Sequence, residues 1–436
     1  MTEINKKNCG RGPSRRGALK LVGGALAAPA LLRVLPANAQ SAAIKIGFVS
    51  PKTGPIAAFS ESDDFTLAQV MKAIGPGISN NGKIYPIQVI SKDSQSSSNR
   101  AAEVTSELIL GEKVDLLIAA STPDTTNPVE DQAEANEVPC ITTLTPWQPY
   151  FFGRKGDPKK GFDWTYHFLW GLEDVIGVFT GMWSQVSTNK SVGALFPNDG
   201  DGNAWGDKVV GFPPVLAAQG YKLTDPGRFQ NLTDDFSAQI AAFRGANAEI
   251  VTGVVIPPDF TTFWNQSQQK GYKPKVISVA KALLFPTTVQ ALGKGGHNIS
   301  TEVWWTPSHP YKSSLTGVSA ADLAKAYEQA SGKQWTQPIG FVHSLFEVAI
   351  DACKRAQDPT DSAALAKAIG ATKLDTIVGP IAFGSDKVPP FAAKNIAKTP
   401  LVGGQWRLDG SKYNMVITEN KQAPQIPLGG QMQALA

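Results

Sequence analysis

From residue 44 onward, short runs rich in β-branched residues alternate with amphipathic stretches. Residues 44–49, 86–90 and 114–119 read as strands, and residues 138–142 as a fourth. Between the second and third, Ser98 can cap a helix whose Ala101, Val104, Leu108 and Ile109 share one face. The pattern restarts after residue 170. A helix is predicted over 175–186, with Val178, Phe179, Met182 and Val186 turned inward. Strands follow at 192–196, 249–255 and 275–279, with helices at about 204–219, 234–243 and 260–270 between them. A longer helix is predicted over 341–356, with Phe341, Leu345, Val348 and Ala352 on one stripe. Residues 376–417 read as short strands and turns, and residues 422–436, rich in Pro, Gly and Gln, as a tail that lies along the surface or frays. Strand–helix alternation of this kind predicts parallel sheets covered by helices, in two α/β units of similar plan. No sequence repeat links the two halves.

The length of 436 residues exceeds what one hydrophobic core supports. A hydrophobic fraction of 42% and a charged fraction of 18% exclude a disordered chain. The net charge of +4 is unevenly spread. Lys6, Lys7, Arg11, Arg15, Arg16, Lys20 and Arg33 stand against Glu3 in residues 1–39, and the remainder carries a net charge of −2. The basic balance therefore does not point to a nucleic acid. An uncharged stretch over 21–32 and the small residues Ala37 and Ala39 complete the order of a cleaved signal peptide. Ser14-Arg15-Arg16-Gly17-Ala18-Leu19-Lys20 resembles the twin-arginine export signal. The alternative is an ordinary secretory signal with two arginines. Twelve uncharged residues are too few to span a bilayer. Cys9 precedes them and so cannot be a lipoprotein cysteine. The expectation is a soluble periplasmic protein starting near Gln40. It retains Cys140 and Cys353, read as two buried thiols in a strand and a helix.

Catalytic motifs are absent: no H-E-x-x-H, G-x-S-x-G, P-loop or C-x-x-C occurs. His167, His297, His309 and His343 lack ligand spacing. Neither metal nor cofactor is expected, and the chain reads as a non-enzyme.

Several short motifs recur in order. They are the opening Ile44–Ala57 segment with Thr53-Gly54-Pro55, Asp93, Ala119-Ala120-Ser121-Thr122, Val138-Pro139-Cys140-Ile141-Thr142, Ala204-Trp205-Gly206, Asp234-Asp235-Phe236-Ser237 and Gly379-Pro380-Ile381-Ala382-Phe383. Over about residues 43–410 the chain resembles the leucine/isoleucine/valine-binding family of periplasmic solute-binding proteins. The resemblance implies a type I periplasmic binding protein fold: two doubly wound α/β lobes joined by three hinge crossovers near 167–171, 303–307 and 379–382. Lobe 1 is expected to comprise 43–168 plus 306–380, and lobe 2 169–305 plus 381–425, with 426–436 as a tail. It implies the substrate-binding component of an ABC importer, a monomer that docks transiently on a permease in the inner membrane. The other readings are an amino-acid or amide binder, an envelope ligand sensor of the same fold, or an exported enzyme.

The resemblance also directs attention to the loops after the strands, where an open α/β sheet binds its ligand. Ser121, Thr122, Thr143 and Thr145 either hold a ligand carboxylate or only cap helices and turns. Phe59, Trp147 and Trp205 are candidate aromatic walls. Relatives place an acid for the ligand ammonium where this chain has Ala280-Lys281. Lys281 in the cleft favours a carboxylate; pointing to solvent, it would do nothing. Asp259 is the remaining candidate for an ammonium. The resulting expectation is a small carboxylate-bearing solute, apolar or aromatic in its body.

Overall fold

A computed structural model describes residues 42–435, which leaves the expected export signal outside the described residues. The first part of the chain supplies strands β1 (Ile44–Ser50), β2 (Ile78–Asn80), β3 (Lys83–Tyr85), β4 (Ile87–Asp93), β5 (Leu116–Ala120), β6 (Cys140–Thr143) and β7 (Thr165–Phe168). Helices α1 (Asp63–Ile74), α2 (Ser98–Ser106), α3 (Pro123–Ala135) and α4 (Trp147–Phe151) intervene. Ser97 caps α2, accepting from the Arg100 N–H; the expected cap, Ser98, is the first helical residue and donates to the Asp124 carbonyl. Ala101, Val104 and Leu108 are buried, as their spacing predicts, although the helix widens into a π-turn over Glu107–Glu112.

The next part repeats the plan. Helices α5 (Leu172–Trp183), α6 (Gly200–Trp205), α7 (Phe212–Ala218), α8 (Ser237–Gly245), α9 (Pro257–Gln269) and α10 (Pro286–Ala291) alternate with β8 (Ser191–Leu195), β9 (Lys222–Thr224), β10 (Ile250–Val255), β11 (Val276–Lys281) and β12 (Ser300–Val303). The chain then returns to the first lobe through α11 (Ala320–Ser331), α12 (Pro338–Arg355), α13 (Ser362–Gly370), β13 (Lys373–Thr376), β14 (Gly379–Ala382) and β15 (Ile396–Ala397). It ends on the antiparallel pair β16 (Val402–Asp409) and β17 (Lys412–Glu419) in the second sheet.

The first sheet has the order β15-β7-β6-β5-β1-β4, and the second β17-β16-β12-β11-β10-β8-β9. Within each, the first two strands stand in the order 2-1 and the next three follow outward. The order therefore reverses between β1 and β5 in one sheet and between β8 and β10 in the other. Such a switch point is where an open α/β sheet leaves a crevice beyond its strand C-termini. The first two crossings between sheets leave β7 at 169–171 and β12 after 303. The third crossing was expected at 379–382 but runs from Ala397 to Val402, because β15 pairs with β7 in the first sheet. The C-terminal segment is tied along the second sheet rather than frayed. Gln405 donates to the Gln433 carbonyl, Asn298 to that of Ala434, and Ile426 is fully buried. Cys140 and Cys353 are both free and buried. No helix among the described residues is long and apolar enough to cross a membrane.

Candidate functional site

Loops from both lobes meet at the switch points and enclose a cleft. Phe59, Thr122, Leu144 and Pro146 line it from the first lobe, and Asp201, Trp205, Lys281 and Glu302 from the second. Trp170 and Trp304, in the first and second crossings, complete its walls. The space between these walls is only about 10 Å³. It is closed, so a solute enters only if the lobes part about their crossings. The walls hold one another across the gap. Phe59 packs edge-on against Phe285 at 5.1 Å, and Trp304 lies 6.0 Å from Trp170 and 6.5 Å from Phe59.

Local sequence explains how each polar group arrives. After β8 the chain runs Pro197-Asn198-Asp199-Gly200-Asp201-Gly202. Asp199 caps α6, its Oδ1 accepting from the Gly202 N–H at 2.7 Å. Gly202 is required there, since a Cβ would lie 2.0 Å from the Pro197 carbonyl oxygen. Asp201 and Trp205 are four residues apart on α6 and so share a face. Trp205 stacks on Phe212 at 4.8 Å, which fixes its ring. Lys281 ends β11 with φ 63° and ψ −69°, a conformation that costs a non-glycine residue about 1–3 kcal/mol. The turn directs its ammonium toward α6 rather than into solvent.

The Lys281 ammonium lies 2.7 Å from Asp201 Oδ2 and 3.2 Å from Asp199 Oδ2. Burial pulls its pKa down, but Asp199, Asp201 and Asp124 outweigh that effect and keep it charged. Burial pushes Asp199 up, while Lys281, Asn231 and the Gly202 N–H more than offset this and hold it below the usual carboxylate range. Asp201 fares differently. Burial, with Asp199 and Asp124 nearby, lifts it to about 7 in spite of Lys281. Its Oδ1 is buried without a hydrogen-bond partner. Glu302, fully buried on β12, is pushed up by burial to about 7; the Thr301 hydroxyl donates to it. From the first lobe, both oxygens of Asp124 accept from the Gly200 N–H at 3.4 Å and bridge the two lobes. The indole N–H groups of Trp170, Trp205 and Trp304 are likewise buried and unpartnered. The site therefore offers aromatic faces, unpaired N–H donors and an excess of carboxylates. It holds no nucleophile–base pair.

A sequence profile of the family described as periplasmic binding protein matches residues 43–397. The chain belongs to this family. It is a family of binding proteins, not enzymes, and its type I fold is the one seen here. Solved structures share that fold at low identity. The branched-chain amino acid transporter substrate-binding protein LivJ from Streptococcus pneumoniae, in complex with isoleucine, is 16% identical with a TM-score of 0.68, covering 86% of this chain and 99% of its own. A solute-binding protein from Rhodopseudomonas palustris, in complex with 3,4-dihydroxybenzoic acid, is 16% identical with a TM-score of 0.68, covering 88% and 99%. Another from R. palustris, in complex with 4-hydroxybenzoate, is 13% identical with a TM-score of 0.70, covering 87% and 96%.

In this binding protein, the cleft brings together four of the residues singled out from sequence: Phe59, Thr122, Trp205 and Lys281. Lys281 does not point to solvent, yet it is no free cation either, because two aspartates already flank it. The remaining candidates stand elsewhere. The Thr143 hydroxyl donates to the Phe168 carbonyl, and that of Thr145 to the Ser121 carbonyl, so both tie strand ends together. The Ser121 hydroxyl is buried without a partner and lies outside the cleft lining. Trp147 turns its ring onto Phe152 and Phe391 and donates its N–H to Glu173, which takes it out of the cleft. Asp259 accepts from the Leu232 N–H, a contact within the second lobe, and burial lifts it to about 6. Sequence reasoning missed Trp170, Trp304, Asp201 and Glu302. The predicted crossings at 167–171 and 303–307 were the signal for the two tryptophans.

Proposed function

We propose that the mature chain is a periplasmic protein, exported by the twin-arginine route, that serves as the substrate-binding component of an ABC importer of the branched-chain amino acid type. It closes over a small, flat solute with an apolar or ring-bearing body. One observation carries the reading: an interlobe cleft at both switch points, walled by Phe59, Trp170, Trp205 and Trp304. Aromatic walls bury a flat apolar body with little entropic cost to themselves. The three unpartnered indole N–H groups favour a solute with acceptor oxygens, in a carboxylate or an amide. This replaces Lys281 as the ground for a carboxylate. The isoleucine and hydroxybenzoates held by similar structures are solutes of this kind.

The test is a thermal-shift screen of small solutes on the signal-free protein. A true ligand raises the melting temperature with its concentration and is recovered unchanged. A compound consumed by the purified protein would sink the binding reading. Deleting the gene should abolish uptake of that ligand; uptake left intact would favour a sensor. Replacing Arg15 and Arg16 by lysine should strand the precursor inside the cell, as a fractionation blot would read, and normal export of that variant would argue for an ordinary secretory signal.

A further inference from the structure

We infer that the second lobe carries a second binding site, at the end of its sheet remote from the cleft, which takes a small organic anion with an alkyl or aryl body. The inference goes beyond the importer reading and does not depend on what the cleft binds.

Position is the first ground. β11 runs from Val276 to Lys281, and Lys281 faces the cleft. A separate cavity opens at the other end of the strands. Lys273 and Pro274 precede β11, and His297 precedes β12. The length of β11 puts about 20 Å between the two sites. The cavity holds about 440 Å³, against only about 10 Å³ in the closed cleft. It falls within the roughly 300–1,000 Å³ typical of small-molecule sites.

Its walls are fixed by bonds of their own. The Leu435 N–H donates to the Lys275 carbonyl at 2.8 Å, which pins the C-terminal segment along one side. The Tyr413 hydroxyl donates to the Gly293 carbonyl and holds the turn over Gly293–Gly296. Trp264 of α9 packs against that turn at Gly295, where a Cβ would lie 2.8 Å from the indole nitrogen.

The chemistry of the lining is the second ground. Lys273 and Lys294 face the cavity, and no acid lines it. The neighbouring Lys275 is neutralised by Glu249 at 3.0 Å, whereas Lys273 and Lys294 form no ion pair among the described residues. The Leu408 N–H donates to His297 Nδ1 at 3.0 Å, so the ring carries its proton on Nε2, a donor left for a ligand. Trp264, Leu408 and Leu435 supply apolar surface beside these groups. Two ammoniums and an N–H donor next to an indole suit a carboxylate or phosphate monoester on an apolar body. The cleft, lined by Asp201 and Glu302, has the opposite charge character. Both lysines are exposed, so binding is fast to exchange and sensitive to salt.

His297 reports on the site. The other three histidines are at most 4% exposed, whereas His297 is half-buried at the cavity. The experiment follows histidine ring resonances by NMR in the mature protein at fixed pH. Benzoate, phenyl phosphate, neutral benzamide and inorganic phosphate are the titrants. The expected result is a saturable shift of the His297 resonance with benzoate or phenyl phosphate below about 10 mM. Raising the salt from about 0.05 to about 0.5 M should weaken it several-fold. The Lys273→Gln, Lys294→Gln double variant should weaken it about tenfold, with the other three resonances in place as evidence of an intact fold. A His297 resonance that stays still overturns the site, even where other resonances move. An equal response to benzamide overturns the charge class, and an equal response to inorganic phosphate overturns the apolar body. A folded double variant that responds like wild type refutes the role of the lysines.

Discussion

Replacing Lys281 by methionine removes the ammonium while keeping a stem of similar length. In the wild type, this ammonium contacts two aspartates whose side chains, like its own, are at most 6% exposed. Without it, Asp199 has two courses. Remaining ionised leaves a buried charge supported only by the Gly202 N–H and the Asn231 amide. Removing one partner of a buried pair costs about 3–5 kcal/mol. Taking up a proton instead costs about 1.4 kcal/mol for every pH unit above an unfolded value near 3.9. That is about 1.5 kcal/mol at pH 5 and about 5.5 kcal/mol at pH 8. The less costly course sets the loss. The variant should therefore be about 1.5 kcal/mol less stable than wild type at pH 5 and about 3–5 kcal/mol less stable at pH 8. Urea denaturation of the mature protein at the two pH values, followed by circular dichroism, reads the difference. An equal loss at both, or none at either, would mean that the ammonium is not the counter-ion on which these aspartates depend.

Stability of the wild type should itself peak between about pH 4 and 6. Burial lifts Asp63, Asp201 and Glu302 to about 7 and Glu130 to about 8. Folding therefore favours their protonated forms, and that contribution, full below about pH 4, is lost as the pH rises through 7–8. Burial holds His167 and His309 down at about 3 and His343 at about 4, so stability is also lost as the pH falls below about 6.5. A melting temperature that still climbs from pH 6 to pH 8 would contradict the raised acids, and one that does not fall between pH 6 and pH 3 would contradict the histidines. Gly340→Ala places a Cβ 2.5 Å from Trp305 Cγ, on the segment where α12 supports the second crossing, and should cost about 1–3 kcal/mol despite alanine's better helix propensity. An unchanged or raised urea midpoint would refute that packing. Cys140 and Cys353 should titrate as two thiols per mature chain only after unfolding, with no effect of reductant on the melting temperature; a single disulfide by mass would overturn this.

The central strands were legible because β1, β5, β8, β10 and β11 are compact apolar runs between turn residues, whereas β7, β9 and β12 carry polar residues and left no such signal. The loops after β5, β6, β8 and β11 could be named for the same reason. What remained hidden depends on partners distant in the chain. The aspartates that neutralise Lys281 lie some eighty residues before it, and nothing in Ala280-Lys281 announces them. Asp201 sits in a glycine-rich turn that reads as a helix start, and its exposure to the cleft follows only from α6 pointing across to α3. Trp147 follows the expected loop, yet α4 turns its ring toward Phe391, a residue on the returning segment. Trp170 and Trp304 follow β7 and β12, two polar strands that leave no apolar run in the sequence, so their segments read as hinges and not as cleft loops. The hinge at 379–382 was misplaced because β15 is only two residues long, too short to leave a periodic signal.

The most direct test of the account is native mass spectrometry of the mature protein purified without added solute from its own periplasm, followed by identification of whatever it releases on denaturation. The account predicts one small organic molecule per chain, with a flat or apolar body and acceptor oxygens, that restores the native mass when added back. A released solute with no flat or apolar body, polar throughout, would contradict the aromatic cleft. A second protein, a nucleic acid or a lipid in its place would contradict the account as a whole.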